Sequence, residues 1–84
     1  MLKIQYFASV REALRRAEDS MELPQSVSTV GELVGFLARQ DQDFKALNEA
    51  GNPLLVAVNQ TVAESNQQLS DNDEVAFFPP MTGG

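Results

Sequence analysis

Apolar and polar residues alternate from the start of the chain. Leu2, Ile4, Tyr6 and Ala8 fall on one side of an extended segment, and Lys3, Gln5, Phe7 and Ser9 on the other. A period of two predicts a half-buried strand over residues 2–9. Phe7 is the exception, an aromatic ring on the otherwise polar face. Residues 10–17 carry helix-favouring side chains and predict a short helix. Alternation returns over Ser20-Met21-Glu22-Leu23 and stops at Pro24, which predicts a short strand. The compact connection predicts antiparallel pairing of these two strands.

The period then changes. Val30, Leu33, Val34 and Leu37 fall at i, i+3, i+4 and i+7, the stripe of an amphipathic helix. Thr29-x-x-Glu32 marks its start as a capping box. Gly31 and Gly35 each cost about 1 kcal/mol of helix propensity, and close packing on a sheet is one reason to keep them. The helix is expected to end near Gln40, with one more turn or short helix over Asp43–Ala50. Gly51-Asn52-Pro53 is a break. Leu54–Val58 is a continuous apolar run, expected as a strand buried on both faces or nearly so. Asn59-Gln60 is a turn, Thr61-Val62-Ala63 a short returning strand, and residues 66–69 a loop. Asp71-Asn72-Asp73 is a tight turn in which Asn72 can take a left-handed conformation. Glu74–Phe78 is the last strand.

The order is strand, strand, helix, strand, short strand, strand. One amphipathic helix must bury its stripe on one face of the sheet. This pattern predicts an α+β fold of β-grasp, or ubiquitin-like, type. About five strands form a mixed sheet on one main helix, with the first and last strands as central neighbours. Residues 1–84 are read as one domain, with a flexible tail over residues 79–84.

Composition narrows the function. The chain has 84 residues, with 12 acids against 6 bases and a net charge of −6. Nucleic-acid binding is disfavoured, because a phosphate backbone needs clustered Lys and Arg. Arg11, Arg15 and Arg16 form the basic cluster, diluted by Glu12 and Glu18. There is no Cys and no His, hence no disulfide, no thiolate site and no imidazole base. The lack of Cys fits a reducing cytosol. No apolar run is long enough to span a membrane, and no signal-peptide core follows Met1.

The chemistry gathers at the end of the chain. Gly83-Gly84 has no side chains to block entry into a narrow channel, and Gly84 offers an unhindered carboxylate. Pro79-Pro80 ends regular strand pairing and stiffens the exit. Six extended residues from Pro79 to Gly84 span about 20 Å, enough to reach a pocket in another protein. If Val75 and Phe77 face the helix, Ala76 and Phe78 face away, and Phe78 shares the helix-free face with Phe7. Val62 extends the same patch, a candidate partner surface. A carboxylate is anionic at neutral pH and must be activated before it can accept a group. The chain has no phosphate-binding glycine motif and no nucleophile–base pair for that task. Asp71-x-Asp73-Glu74 reads as turn chemistry rather than a metal site, and Arg11-Glu12 as a surface pair.

Phe7-Ala8-Ser9-Val10-Arg11-Glu12, Val58-Asn59-Gln60-Thr61 and above all the run from Asp71 through Phe78-Pro79-Pro80-Met81-Thr82-Gly83-Gly84 closely resemble the small-subunit family of molybdopterin synthase, the MoaD family. Asn72 stands where that family often has Gly, and Met81 where it often has Val. The resemblance implies a sulfur carrier that binds no cofactor itself. An E1-like activating enzyme, using ATP and magnesium, would adenylate Gly84. A sulfur donor such as a cysteine desulfurase or a rhodanese-like protein would make the thiocarboxylate. The tail, including Met81, Thr82 and Gly83, would enter the large subunit and give sulfur to cyclic pyranopterin monophosphate. The implied assembly is a cytoplasmic heterotetramer of two small and two large subunits. In it Phe7, Val62 and Phe78 align with the family's hydrophobic contact positions. A thiamine-pathway sulfur carrier, a ubiquitin-like protein modifier and a plain interaction domain remain the alternatives.

Overall fold

The structure, a computed structural model, describes residues 1–49 and 54–80. In chain order the elements are β1 (Leu2–Tyr6), α1 (Ala8–Leu14), β2 (Glu18–Met21), α2 (Val30–Gln40), α3 (Gln42–Glu49), β3 (Leu55–Val58), β4 (Thr61–Val62) and β5 (Glu74–Phe78). The strands form one mixed sheet in the order β2-β1-β5-β3-β4. β1 and β5 lie side by side and parallel, with Ile4 opposite Val75 and Tyr6 opposite Phe77. The other neighbours are antiparallel. The mixed sheet and the neighbouring β1–β5 pair are those expected from the order of elements read as a β-grasp.

The bounds of β1, α1 and β2 differ from expectation, with α1 over Ala8–Leu14 rather than residues 10–17. β1 stops at Tyr6, so Ala8 and Ser9 are not strand residues. Phe7 is still extended, but Ala8 takes a positive φ of 52° and turns the chain into α1. The amides of Val10 and Arg11 then bond back to the Phe7 carbonyl. α1 buries Val10 and Leu14, one turn apart, and ends where Arg15 adopts the left-handed conformation at φ 60°. β2 lies two residues earlier than its alternation implied. Pairing with β1 sets its place: Glu18 sits opposite Gln5 and Met21 opposite Leu2.

α2 starts at its capping residue, where Thr29 Oγ1 accepts from the Glu32 amide at 3.2 Å. The Glu32 carboxylate turns back to the Ser28 hydroxyl at 2.7 Å and the Ser28 amide at 3.0 Å. The return bond of the box is therefore made one residue before the cap. These Ser28 contacts hold the Glu32 carboxyl below its usual range. Val30, Leu33 and Leu37 are buried, and Val34 packs half-buried beside them. Gly31 is explained by a close approach. A Cβ there would stand 3.2 Å from the Ser65 carbonyl oxygen, which accepts from the Gly31 amide at 2.8 Å.

The core is the layer between the sheet and the helices. Phe77 lies against Phe44 edge-on, with centroids 5.1 Å apart, and stacks on Tyr6 at 6.2 Å. The short helix expected beyond Gln40 is α3, and Phe44 makes it a core element. The Tyr6 hydroxyl donates to Asp19 at 2.8 Å, and burial pushes its phenol well above the ordinary range. Arg16 binds Asp19 at 2.6 Å and Asp41 at 2.8 Å. The other oxygen of Asp41 accepts from the amides of Asp43 and Phe44, capping α3. This brace ties the approach to β2 to the α2–α3 junction.

Candidate functional site

β5 is the strand around which the candidate site is built, because it leads into the tail. Its burial alternates along Glu74–Phe78, with Val75 and Phe77 fully buried and Ala76 and Phe78 half-buried. An extended strand sends successive side chains to opposite faces. The helices cover the Val75/Phe77 face. Ala76 and Phe78 therefore lie on the open face.

The register shows what lies beside them. Ala76 has Gln5 opposite it on one side and Ala57 on the other, and Val62 is opposite Ala57. Leu55 is opposite Phe78. Phe7 directly follows Tyr6, which pairs with Phe77, and its amide donates to the Phe77 carbonyl at 3.0 Å. Phe7 thus reaches the same end of the sheet as Phe78. Its extended backbone continues the alternation to the open face. Phe7 is 47% exposed and Val62 is 68% exposed. The open face is apolar from Phe7 and Phe78 through Leu55, Ala57 and Ala76 to Val62. Lys3, Glu18 and Glu74 lie further along it, Lys3 within 3.9 Å of Glu18.

The sequence identified Phe7, Val62, Ala76 and Phe78 for this face. It missed Leu55 and Ala57. Their run of apolar residues carries no alternation, so only the pairing with β5 shows which of them face outward. The same pairing assigns Val56 and Val58 to the core cluster.

The turn before β5 is held by named bonds. Asn72 has φ 72°, the left-handed conformation expected of it. Asp73 accepts from the Ser70 amide at 2.7 Å and from Asn59 Nδ2 at 3.0 Å. Asn59 Oδ1 accepts from the Glu74 amide at 3.0 Å. Asn59 and Gln60 both have positive φ, as a two-residue hairpin turn requires. Asn59 therefore fastens the β3–β4 turn to the start of β5 and fixes the strand that carries Phe78. Both oxygens of Asp73 are engaged in this turn. No cluster of three metal-ligating side chains occurs among the described residues.

Pro79 and Pro80 follow β5, outside regular pairing and half-buried. Met81, Thr82, Gly83 and Gly84 lie outside the described residues, as does the Gly51-Asn52-Pro53 break. Among the described residues no helix is long and apolar enough to cross a membrane.

A five-strand mixed sheet with parallel central strands, helices on one face and an open apolar face on the other is a ubiquitin-like β-grasp domain. The chain belongs to the ThiS family, whose model matches residues 4–84. It is 43% identical over 84 residues to the molybdopterin synthase sulfur carrier subunit of Escherichia coli strain K12, with all of both chains covered. A solved structure from Pyrococcus furiosus, of a protein assigned as subunit 1 of molybdopterin converting factor, shares 28% identity. It superposes with a TM-score of 0.77 over 95% of this chain and 97% of that one. The complex of subunits 1 and 2 of molybdopterin-converting factor from Helicobacter pylori 26695 contains the same fold. There the TM-score is 0.64 at 18% identity, over 99% of this chain and 97% of that chain.

Proposed function

We propose that this chain carries sulfur for a molybdopterin synthase and that Gly84 is its reacting residue. The observation that carries this reading is the 43% identity to the Escherichia coli sulfur carrier subunit along the full length of both chains. The open apolar face, continuous with the strand that leads to the tail, supports it independently. A carrier must dock and present its end, and β5 joins those two tasks.

The chemistry runs on the tail, inside partner enzymes. An oxygen of the Gly84 carboxylate attacks the α-phosphorus of ATP, with magnesium, in an E1-like activating enzyme, and pyrophosphate leaves. The acyl carbon is then electrophilic. The outer sulfur of a persulfide on a donor such as a cysteine desulfurase or rhodanese-like protein attacks that carbon and AMP leaves. A second thiol then cleaves the S–S bond of the acyl disulfide, becoming disulfide-bonded to the donor sulfur. The product is a thiocarboxylate. The open face, with Phe7, Val62 and Phe78, docks on the large subunit. Pro79 and Pro80 direct residues 81–84 into its pocket, where sulfur passes to cyclic pyranopterin monophosphate. Two sulfurs build one dithiolene, so two charged carriers are used per product. The working assembly is a cytoplasmic heterotetramer with two large subunits.

Intact-mass measurement tests this reading. With activating enzyme, ATP and a sulfur source the chain should gain about 16 Da, one oxygen replaced by one sulfur. An unchanged mass, with the same enzymes active on another carrier, would overturn it.

A further inference from the structure

The second surface lies at the opposite edge of the sheet from β4 and does not depend on the tail. β2 is an edge strand. The Tyr6 amide bonds to the Ala17 carbonyl, which sets the phase of the β1–β2 ladder. Bonded pairs alternate in an antiparallel ladder, so Asp19 and Met21 face β1 with their backbone groups. The N–H and C=O groups of Glu18 and Ser20 point outward from the sheet. No Pro or Lys interrupts Glu18–Met21, so two common devices that blunt a free edge are missing. The other edge, β4, is only two residues long.

Beside this edge, between β2 and α2, lies a cleft of about 380 Å³. Ile4, Met21, Phe36 and Leu37 give it an apolar lining, and Gln40 is on its exposed rim. The Arg16–Asp41 ion pair, at 2.8 Å, bridges the β2 approach to the end of α2 beside it. An edge unpaired among the described residues, next to an apolar cleft, suits an extended peptide, which gains ladder bonds from the edge and burial from the cleft.

Charge selects the occupant. Glu18, Asp19, Glu22 and Asp41 surround this edge. Arg16 is shared between Asp19 and Asp41, and Lys3 lies near Glu18. The balance is acidic. A second copy pairing antiparallel about Ser20 would set Glu18 against Glu22, and like charges directly opposite destabilise a pair. We propose that the β2–α2 cleft receives an extended segment of a partner protein, apolar at alternate positions and flanked by Lys or Arg, which adds as a strand beside β2. The cleft is on the helix side, so its occupant leaves the open face and the tail free.

The test uses the full chain, labelled with nitrogen-15. The probe is a synthetic peptide of alternating valine and threonine with lysines at both ends. Saturable shifts are expected at the amides of Glu18, Ser20, Glu22, Phe36 and Gln40, with slowed exchange at Ser20. The same peptide ending in glutamates should bind about tenfold more weakly. Ser20→Pro removes an outward donor that the fold does not use and should abolish binding. Gln40→Trp fills the cleft from its rim and should weaken binding too, and it decides the matter if Ser20→Pro does not fold. Shifts centred on Phe7, Val62 and Phe78, no saturable shift, full binding by both variants, or a peptide-free dimer through β2 would each overturn the proposal.

Discussion

Phe77 and Phe78 are adjacent in the chain and face opposite sides of the sheet. Phe77 has no exposed surface and meets the Phe44 ring edge-on at 5.1 Å. Phe78 is half-buried opposite Leu55 on the open face. Phe77→Ala should cost about 3–5 kcal/mol. A chain this small has roughly 5 kcal/mol in total, so its cooperative urea transition should nearly vanish. Phe78→Asp should shift the transition by under about 1 kcal/mol and weaken docking to a molybdopterin synthase large subunit at least about tenfold in calorimetry. Similar losses of stability from both changes would contradict the two-face arrangement.

Deleting Gly84 separates docking from chemistry. On the proposed function sulfur transfer should disappear, because the deletion displaces the proposed acyl carbon by one residue. Docking should stay within about threefold, since the proposed docking surface is the open face. If docking falls together with transfer, the tail is chiefly an anchor.

Gly31 and Gly35 share a helix but should respond in opposite ways. At Gly35 an added Cβ meets only the flexible end of Arg39, at 3.6 Å. Gly35→Ala should therefore stabilise the chain by up to about 1 kcal/mol. At Gly31 the added Cβ meets the Ser65 backbone at 3.2 Å. Gly31→Ala must move residues 64–67 or the helix, and it should lower the urea midpoint despite the same gain in propensity.

Asp41 gives the acid limb of stability a specific source. Its bond from Arg16, aided by the Phe44 and Asp43 amides, lowers its carboxyl below the ordinary 3.8. A carboxyl lowered by folding contributes stability above its unfolded value and loses it as pH falls through the folded one. The contribution is therefore present at neutral pH and disappears from about pH 4 downward. Asp41→Asn keeps an oxygen to cap α3 but loses the charge. Its stability should be lower at pH 7 and should fall less steeply in acid, as read from urea midpoints across pH. The effect should be small, because Arg16 is 38% exposed and water screens the pair. An unchanged acid slope would remove Asp41 as the source.

Much of this arrangement was legible in the sequence where a local cause sufficed. The stripe Val30, Leu33, Val34, Leu37 and the Thr29 cap placed α2, because helix period and capping are local properties. Alternation separated Phe77 from Phe78. Asn72 took its left-handed turn as its side chain predicts. The β1 boundary failed because a positive φ at Ala8 has no signal in an alternating run. The β2 position failed because its polar residues are strand residues only by pairing with β1.

The sequence by itself determined the periods, the caps, the turn residues and the glycine ending, since each depends on neighbours a few residues away. The tertiary structure decided the register. It placed Leu55 beside Phe78 and Val62 beside Ala57, fastened Asn59 to Glu74 and left the outer edge of β2 unpaired among the described residues. Those relations join residues far apart in the chain. They are set by which strands exchange backbone hydrogen bonds, and no local pattern encodes that choice.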